Sequence, residues 1–207
     1  MAPAARRTQM KWFFLASCFS CAFTVAEAAP IAGAGETHFR MQRSAKIDQV
    51  LVNSDGEAFA LLLAEGSVVM LSSQASQFGF AHGQRVQVEG DAVQTPLNVV
   101  YFRVRLTRGG QLLQSANDAP ARAPTAGDCA GGEVTARGAL EAFLAAPDGS
   151  ITGLVFGNGT LALASPSLSI NGLAHWSKVE VSGPAISAEA GAAALRIDRL
   201  AVASARH

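Results

Sequence analysis

Hydrophobic and polar positions along the chain predict short strands separated by turns. Residues 46–52 suit a first strand, ended by Asn53-Ser54-Asp55-Gly56, a run of turn formers. Residues 58–64 are continuously apolar, and Glu65-Gly66 turns that strand back into residues 67–71, so the first three strands form a meander. The period then changes: Ala75, Phe78 and Phe80 stand among serines and glutamines, which suits a short helix or turn covering one end of a barrel. After His82-Gly83 the alternation returns, with Val86 and Val88 on one side and Arg85, Gln87 and Glu89 on the other, up to Gly90. A loop over 91–98 leads to a closing strand over 99–107. Strict alternation puts Val100, Phe102, Val104 and Leu106 on one face, and Tyr101, Arg103, Arg105 and Thr107 on the other.

The same pattern occurs twice. Sliding the chain over itself by 93 positions, without a gap, brings Asp55-Gly56 onto Asp148-Gly149, Leu61 onto Leu154 and Gly66 onto Gly159. The same shift brings Gly79 onto Gly172, Ala81-His82 onto Ala174-His175, and Val86, Val88 and Gly90 onto Val179, Val181 and Gly183. Turn glycines and alternating valines are what a duplicated β unit must keep, because each copy needs the same reversals and the same inward face. In the second copy, Pro147-Asp148-Gly149 and Asn158-Gly159 make the first two turns, the latter a strong hairpin signal that also accounts for the sequon Asn158-Gly159-Thr160. Leu195 and Ile197 fall out of phase with Leu200 and Val202, which predicts a bulge at Asp198-Arg199. Between the copies, Gly109-Gly110, Pro120, Pro124 and several alanines predict a flexible linker over 108–133.

Three strands, a short helical connection and two more strands is the strand order of the five-stranded oligonucleotide/oligosaccharide-binding (OB) fold, which both copies resemble. The expected fold is therefore all-β, with two tandem OB-like barrels over 44–107 and 134–204 and a short helical connection between strands three and four of each. The resemblance extends to tandem OB-fold-like exported bacterial proteins. Another small barrel, such as an SH3-like one, is the main structural alternative.

The N-terminus changes the compartment. Arg6, Arg7 and Lys11 precede an apolar run over 12–26 that ends in Ala26-Glu27-Ala28, the arrangement of a secretory signal peptide over 1–28, followed by an extended leader over 29–43. Arg6-Arg7 also resembles a twin-arginine signal, and Leu15-Ala16-Ser17-Cys18 a lipobox. The expected location is periplasmic or secreted, with a lipoprotein through Cys18 as the alternative. Cleavage removes Cys18 and Cys21 and leaves Cys129 alone, so no internal disulfide stabilises the mature chain. Acidic and basic residues number 16 each, and loss of Arg6, Arg7, Lys11 and Glu27 leaves a net charge of −2. Such a chain lacks the broad positive field of non-specific nucleic-acid binders.

No phosphate-binding loop, metalloprotease helix, nucleophile elbow or cysteine pair occurs in the mature sequence. His82 and His175 occupy equivalent positions in separate copies, and each reads as a turn residue ahead of strand four. The chain is accordingly expected to be non-catalytic and to need no metal or cofactor. In OB folds the ligand face lies on strands two and three and the loops 1–2 and 4–5. By that resemblance the ligand-binding residues are Phe59, Tyr101, Arg103 and Arg105, beside loops 53–57 and 91–98; an aromatic ring with two guanidiniums suits a base, a sugar or a small anion. The sequence names no partner; an envelope protein or a small anionic ligand is the expectation. A single-strand nucleic-acid binder and a structural component of an envelope complex are the alternatives.

Overall fold

A computed structural model describes residues 39–129, 131–164, 170, 173–186 and 194–202. The signal segment, most of the leader and most of the second copy's helical connection lie outside the described residues.

The first half closes a barrel. Strands β1 (Phe39–Val52), β2 (Ala58–Leu63) and β3 (Val68–Met70) pair antiparallel in sequence. After a single 3-10 turn (Ala75–Gln77), β4 (Arg85–Gln94) and β5 (Val99–Arg108) pair antiparallel; β4 returns to β1, while β5 runs parallel to β3. The ring β1-β2-β3-β5-β4 has no free edge among its five strands, and the β3–β5 pairing makes it a mixed barrel. Its interior holds Ile47, Leu61, Leu63, Val69, Val86, Val88, Tyr101, Val104 and Leu106.

The pairings of β1 show how one strand serves two neighbours. Residues 39–46 pair with β4 and residues 47–52 with β2, with a bulge at Asp48. The extra residue reverses the phase: Ala45 and Ile47 point into the barrel, whereas beyond the bulge Leu51 points away from it.

The second half repeats these pairings through β7 (Glu133–Ala145), β8 (Ile151–Phe156), β9 (Leu161–Leu163) and β10 (Lys178–Pro184). Its last segment is split. β11 (Ala194–Arg196) runs parallel to β9, and β12 (Arg199–Val202) antiparallel to β10, with Ile197 and Asp198 between them. The expected irregularity at Asp198-Arg199 thus falls where this strand is broken. The second sheet, ordered β11-β9-β8-β7-β10-β12, is not closed, and its two ends are the two parts of one segment. The Ile197 N–H reaches the Leu163 carbonyl on one side, and the Asp198 N–H the Ser182 carbonyl on the other.

Each sheet places a glycine opposite this irregularity. In the first, Glu89 pairs with Arg105 and Asp91 with Phe102, so Gly90 alone faces Arg103 and Val104. A Cβ on Gly90 would lie 2.8 Å from the Val104 Cα and 3.0 Å from the Arg103 carbonyl oxygen. A Cβ on Gly183 would run into the Arg196 carbonyl. These glycines exist for close backbone approach and not for a positive φ.

The two halves share a third core. β2 is buried along its whole length because Leu61 and Leu63 face the barrel interior while Phe59, Ala60 and Leu62 face the second sheet. There they meet Ala142, Leu144, Val155, Leu161 and Leu163. The stretch expected as a flexible linker is built into this arrangement. It continues β5 to Arg108 and forms β6 (Gln111–Gln114) on the flank of β5. The Ala121 N–H then bonds the Leu71 carbonyl, and the Gly131 N–H bonds the Ala185 carbonyl. Ala121 and Cys129 are buried in the shared core, and burial pushes the Cys129 thiol pKa up. A buried thiol of that kind is a poor nucleophile and cannot reach a second molecule.

Candidate functional site: a cleft at Arg103

The four residues expected to bind a ligand do not come together. Phe59 is fully buried in the shared core. Tyr101 is fully buried inside the barrel, its hydroxyl 3.9 Å from the Met41 sulfur, and burial raises its phenol pKa. The physical reason is the bulge opposite Gly90. Arg103 takes a left-handed conformation, φ 44°, and this breaks the alternation that would have put Tyr101 on the same face as Arg103 and Arg105. Tyr101 instead shares the inward face with Val104 and Leu106. Arg105 is exposed on a shallow polar groove over β1, β4 and β5, with Gln42, Gln87 and Thr107.

Both loops expected at the ligand face are committed elsewhere. The Asn53 side-chain oxygen accepts from the Asp55 and Glu57 N–H groups, and its amide donates to the Arg122 carbonyl at 3.2 Å. Asn98, buried, reaches across to β7. Its Nδ2 donates to the Phe143 carbonyl at 3.1 Å, and its Oδ1 accepts the Phe143 N–H at 2.9 Å. The Thr95 hydroxyl lies 2.9 Å from the Asn98 Oδ1 and 2.8 Å from the Asn98 carbonyl oxygen, and holds that residue in place. These loops fasten the halves together and leave little free backbone for a ligand.

Arg103 lies at a different opening. A cleft of about 410 Å³ is lined by Met70, Phe102, Gln114, Pro120 and, from the second half, Pro147, with Arg103, Asp91 and Asp118 at its rim. The Arg103 guanidinium is largely exposed and lies 3.1 Å from an Asp91 carboxylate oxygen. Gln114 is fixed below: its Oε1 accepts the Ser72 N–H at 2.8 Å, and its Nε2 donates to the Met70 carbonyl at 3.3 Å. Asp118 accepts the Ser115 N–H at 2.7 Å. The result is an apolar floor with polar groups at the edge, the usual composition of a small-ligand site. Phe102, which strict alternation sets on the face opposite Arg103, is partly buried and lines the same cleft.

His82 and His175 remain turn residues. The His82 Nδ1 sits 2.8 Å from the Asp48 carbonyl oxygen, and His175 packs against Trp176. Among the described residues no three His, Cys, Asp or Glu side chains come together as a metal-holding group, and no helix is long and apolar enough to cross a membrane. Comparison of the chain with protein-family models, with curated proteins and with solved structures found no match.

Proposed function

We propose that this chain is an exported, non-catalytic binding module made by duplication of an OB-like barrel. Its ligand site is the cleft at Arg103. Three lines support the duplication: the ungapped sequence register at 93 positions, the repeated strand pairings, and hydrogen bonds that recur at the same spacing. The Ala64 N–H bonds the Lys46 carbonyl and the Gly157 N–H the Ala139 carbonyl; the Gly83 N–H bonds the Ile47 carbonyl and the Trp176 N–H the Leu140 carbonyl. In this reading β11 and β12 are the fifth strand of the second barrel, broken at its bulge. The arginines, apolar run and Ala26-Glu27-Ala28 of the N-terminus support export.

The observation that carries the site is a guanidinium held in a left-handed backbone at the rim of an apolar cleft. Non-glycine residues in that region are strained, and such strain collects at functional positions. The ligand that fits is small, with an apolar body for Phe102, Met70 and the two prolines and one anionic group for Arg103, which would exchange its bond to Asp91 for one to the ligand. A carboxylate with an aliphatic or aromatic tail has this form.

The test is an NMR titration of the protein with octanoate and phenylacetate. Saturable shifts confined to the neighbours of Phe102, Arg103 and Gln114 are expected. Arg103→Gln is expected to weaken binding about tenfold or more, the typical loss of a charge-assisted hydrogen bond. Absence of saturation with either compound would overturn the site. Salt-sensitive shifts with a single-stranded oligonucleotide would replace this reading with nucleic-acid binding.

A further inference from the structure

The second half carries a feature that the first half lacks, far in sequence from the Arg103 cleft and independent of it. Trp176 is exposed, yet its backbone adopts φ 64°. The position 93 residues earlier is Gly83, at φ 79°. The turn therefore requires a left-handed residue, and the second half fills that place with the bulkiest side chain available at a conformational cost. A second difference lies beside it. Ala64 in the first half corresponds to Gly157 in the second, so a methyl group is missing where the tryptophan has been added.

These two differences meet at one point. The place where a Cβ on Gly157 would stand is 3.5 Å from the Glu141 Oε2 and 3.9 Å from the Trp176 Cζ3. The missing side chain thus leaves a slot floored by Gly157, with a carboxylate oxygen on one wall and an indole edge on the other. Glu141 is the bulge residue of β7, the counterpart of Asp48 in β1, and the bulge turns it out of the strand's alternation. The Gln49 amide donates to the Glu141 Oε2 and to the Gly157 carbonyl, both at 3.4 Å. Its own Oε1 is buried and has no hydrogen-bond partner. The His175 ring lies against the indole, centroids 4.6 Å apart.

The polar atoms that bound the slot, the Glu141 Oε2 and the Ala139 carbonyl, are acceptors, while the unpartnered Gln49 Oε1 lies further along, 3.9 Å from where a Cβ on Gly159 would stand. A second carboxylate, Asp48, lies close enough to raise the Glu141 pKa, with burial the larger cause and His175 opposing both. Acceptors and carboxylates beside an exposed indole attract a cation with N–H groups: the carboxylate takes the charge, and the apolar indole edge packs against the adjoining methylenes.

We propose that Trp176, Glu141 and Gly157 form a binding slot for a primary ammonium group, carried by a free polyamine or by a lysine side chain of a partner. The test uses the full chain with Trp12→Phe, in which Trp176 is the only tryptophan. Its fluorescence is followed during titration with cadaverine, with a lysine-containing tripeptide and, as controls, with N-acetylglucosamine and acetate. A saturable change with cadaverine or the tripeptide is expected, and the tighter of the two identifies the source of the amine. Gly157→Ala, whose methyl group would make only ordinary contacts, and Glu141→Gln are each expected to weaken that binding about tenfold or more with an unchanged melting curve. No saturable change with either amine, wild-type affinity retained in both variants, or saturation by N-acetylglucosamine alone would overturn the proposal.

Discussion

Gly90→Ala is expected to destabilise the protein by about 1–3 kcal/mol, the usual cost of forcing volume into a packed interior. The new Cβ would lie 2.7 Å from the Val104 Cγ1 and 2.8 Å from the Val104 Cα, and a backbone atom cannot move aside as a side-chain tip can. Gly183→Ala is expected to cost more, because its Cβ meets the Arg196 carbonyl. Urea denaturation measures both, and the expected signature is a lower midpoint with an unchanged slope. Gly79→Ala is the control, since nothing lies within 4 Å of its Cβ and its φ is ordinary. If Gly90→Ala matched Gly79→Ala, the close approach of β4 and β5 would not be a real constraint on the barrel.

Asn98→Ala is the second large effect. One side chain satisfies both the N–H and the carbonyl of Phe143, a residue whose ring is buried in the second half's core. Removing it leaves a donor and an acceptor buried without partners, at about 1–3 kcal/mol each before relaxation. Asn98→Asp keeps an acceptor for the Phe143 N–H but sets a buried carboxylate oxygen against the Phe143 carbonyl, so it too is expected to be less stable than wild type. Amide exchange at Phe143 supplies the local readout: faster exchange is expected in Asn98→Ala. Unchanged exchange there would mean that Asn98 does not fasten the halves.

Much of the architecture is legible in the sequence because turns and alternation are local. Gly56, Gly66, Gly149 and Gly159 all have positive φ, as their turn positions demand, and the strands between them fall where the apolar runs place them. The break near Asp198 was visible as a change of phase. What failed was information that is not local. Alternation by twos puts Tyr101 beside Arg103 and Arg105, whereas the bulge opposite Gly90, on the neighbouring strand, places it inside. The 108–133 stretch has the composition of a linker, yet its N–H groups at Ala121 and Gly131 donate to the carbonyls of Leu71 and Ala185, residues distant in the chain. One signal of the shared core was present. Residues 58–64 are apolar without alternation, as a strand covered on both faces must be, whereas a solitary barrel needs only one apolar face. Trp176 carried a signal too, since the tandem alignment sets it against Gly83 at a turn where glycine is the natural choice.

The buried position of Cys129 gives the molecule an internal clock. Its sulfur lies in the seam between the halves and is the only thiol beyond the N-terminal segment. In a chain with Cys18→Ser and Cys21→Ser, a water-soluble disulfide reagent can react only when the packing around Cys129 opens. The labelling rate, divided by the rate of an unhindered thiol, therefore gives the fraction of time that part of the seam spends open, under native conditions and without any denaturant.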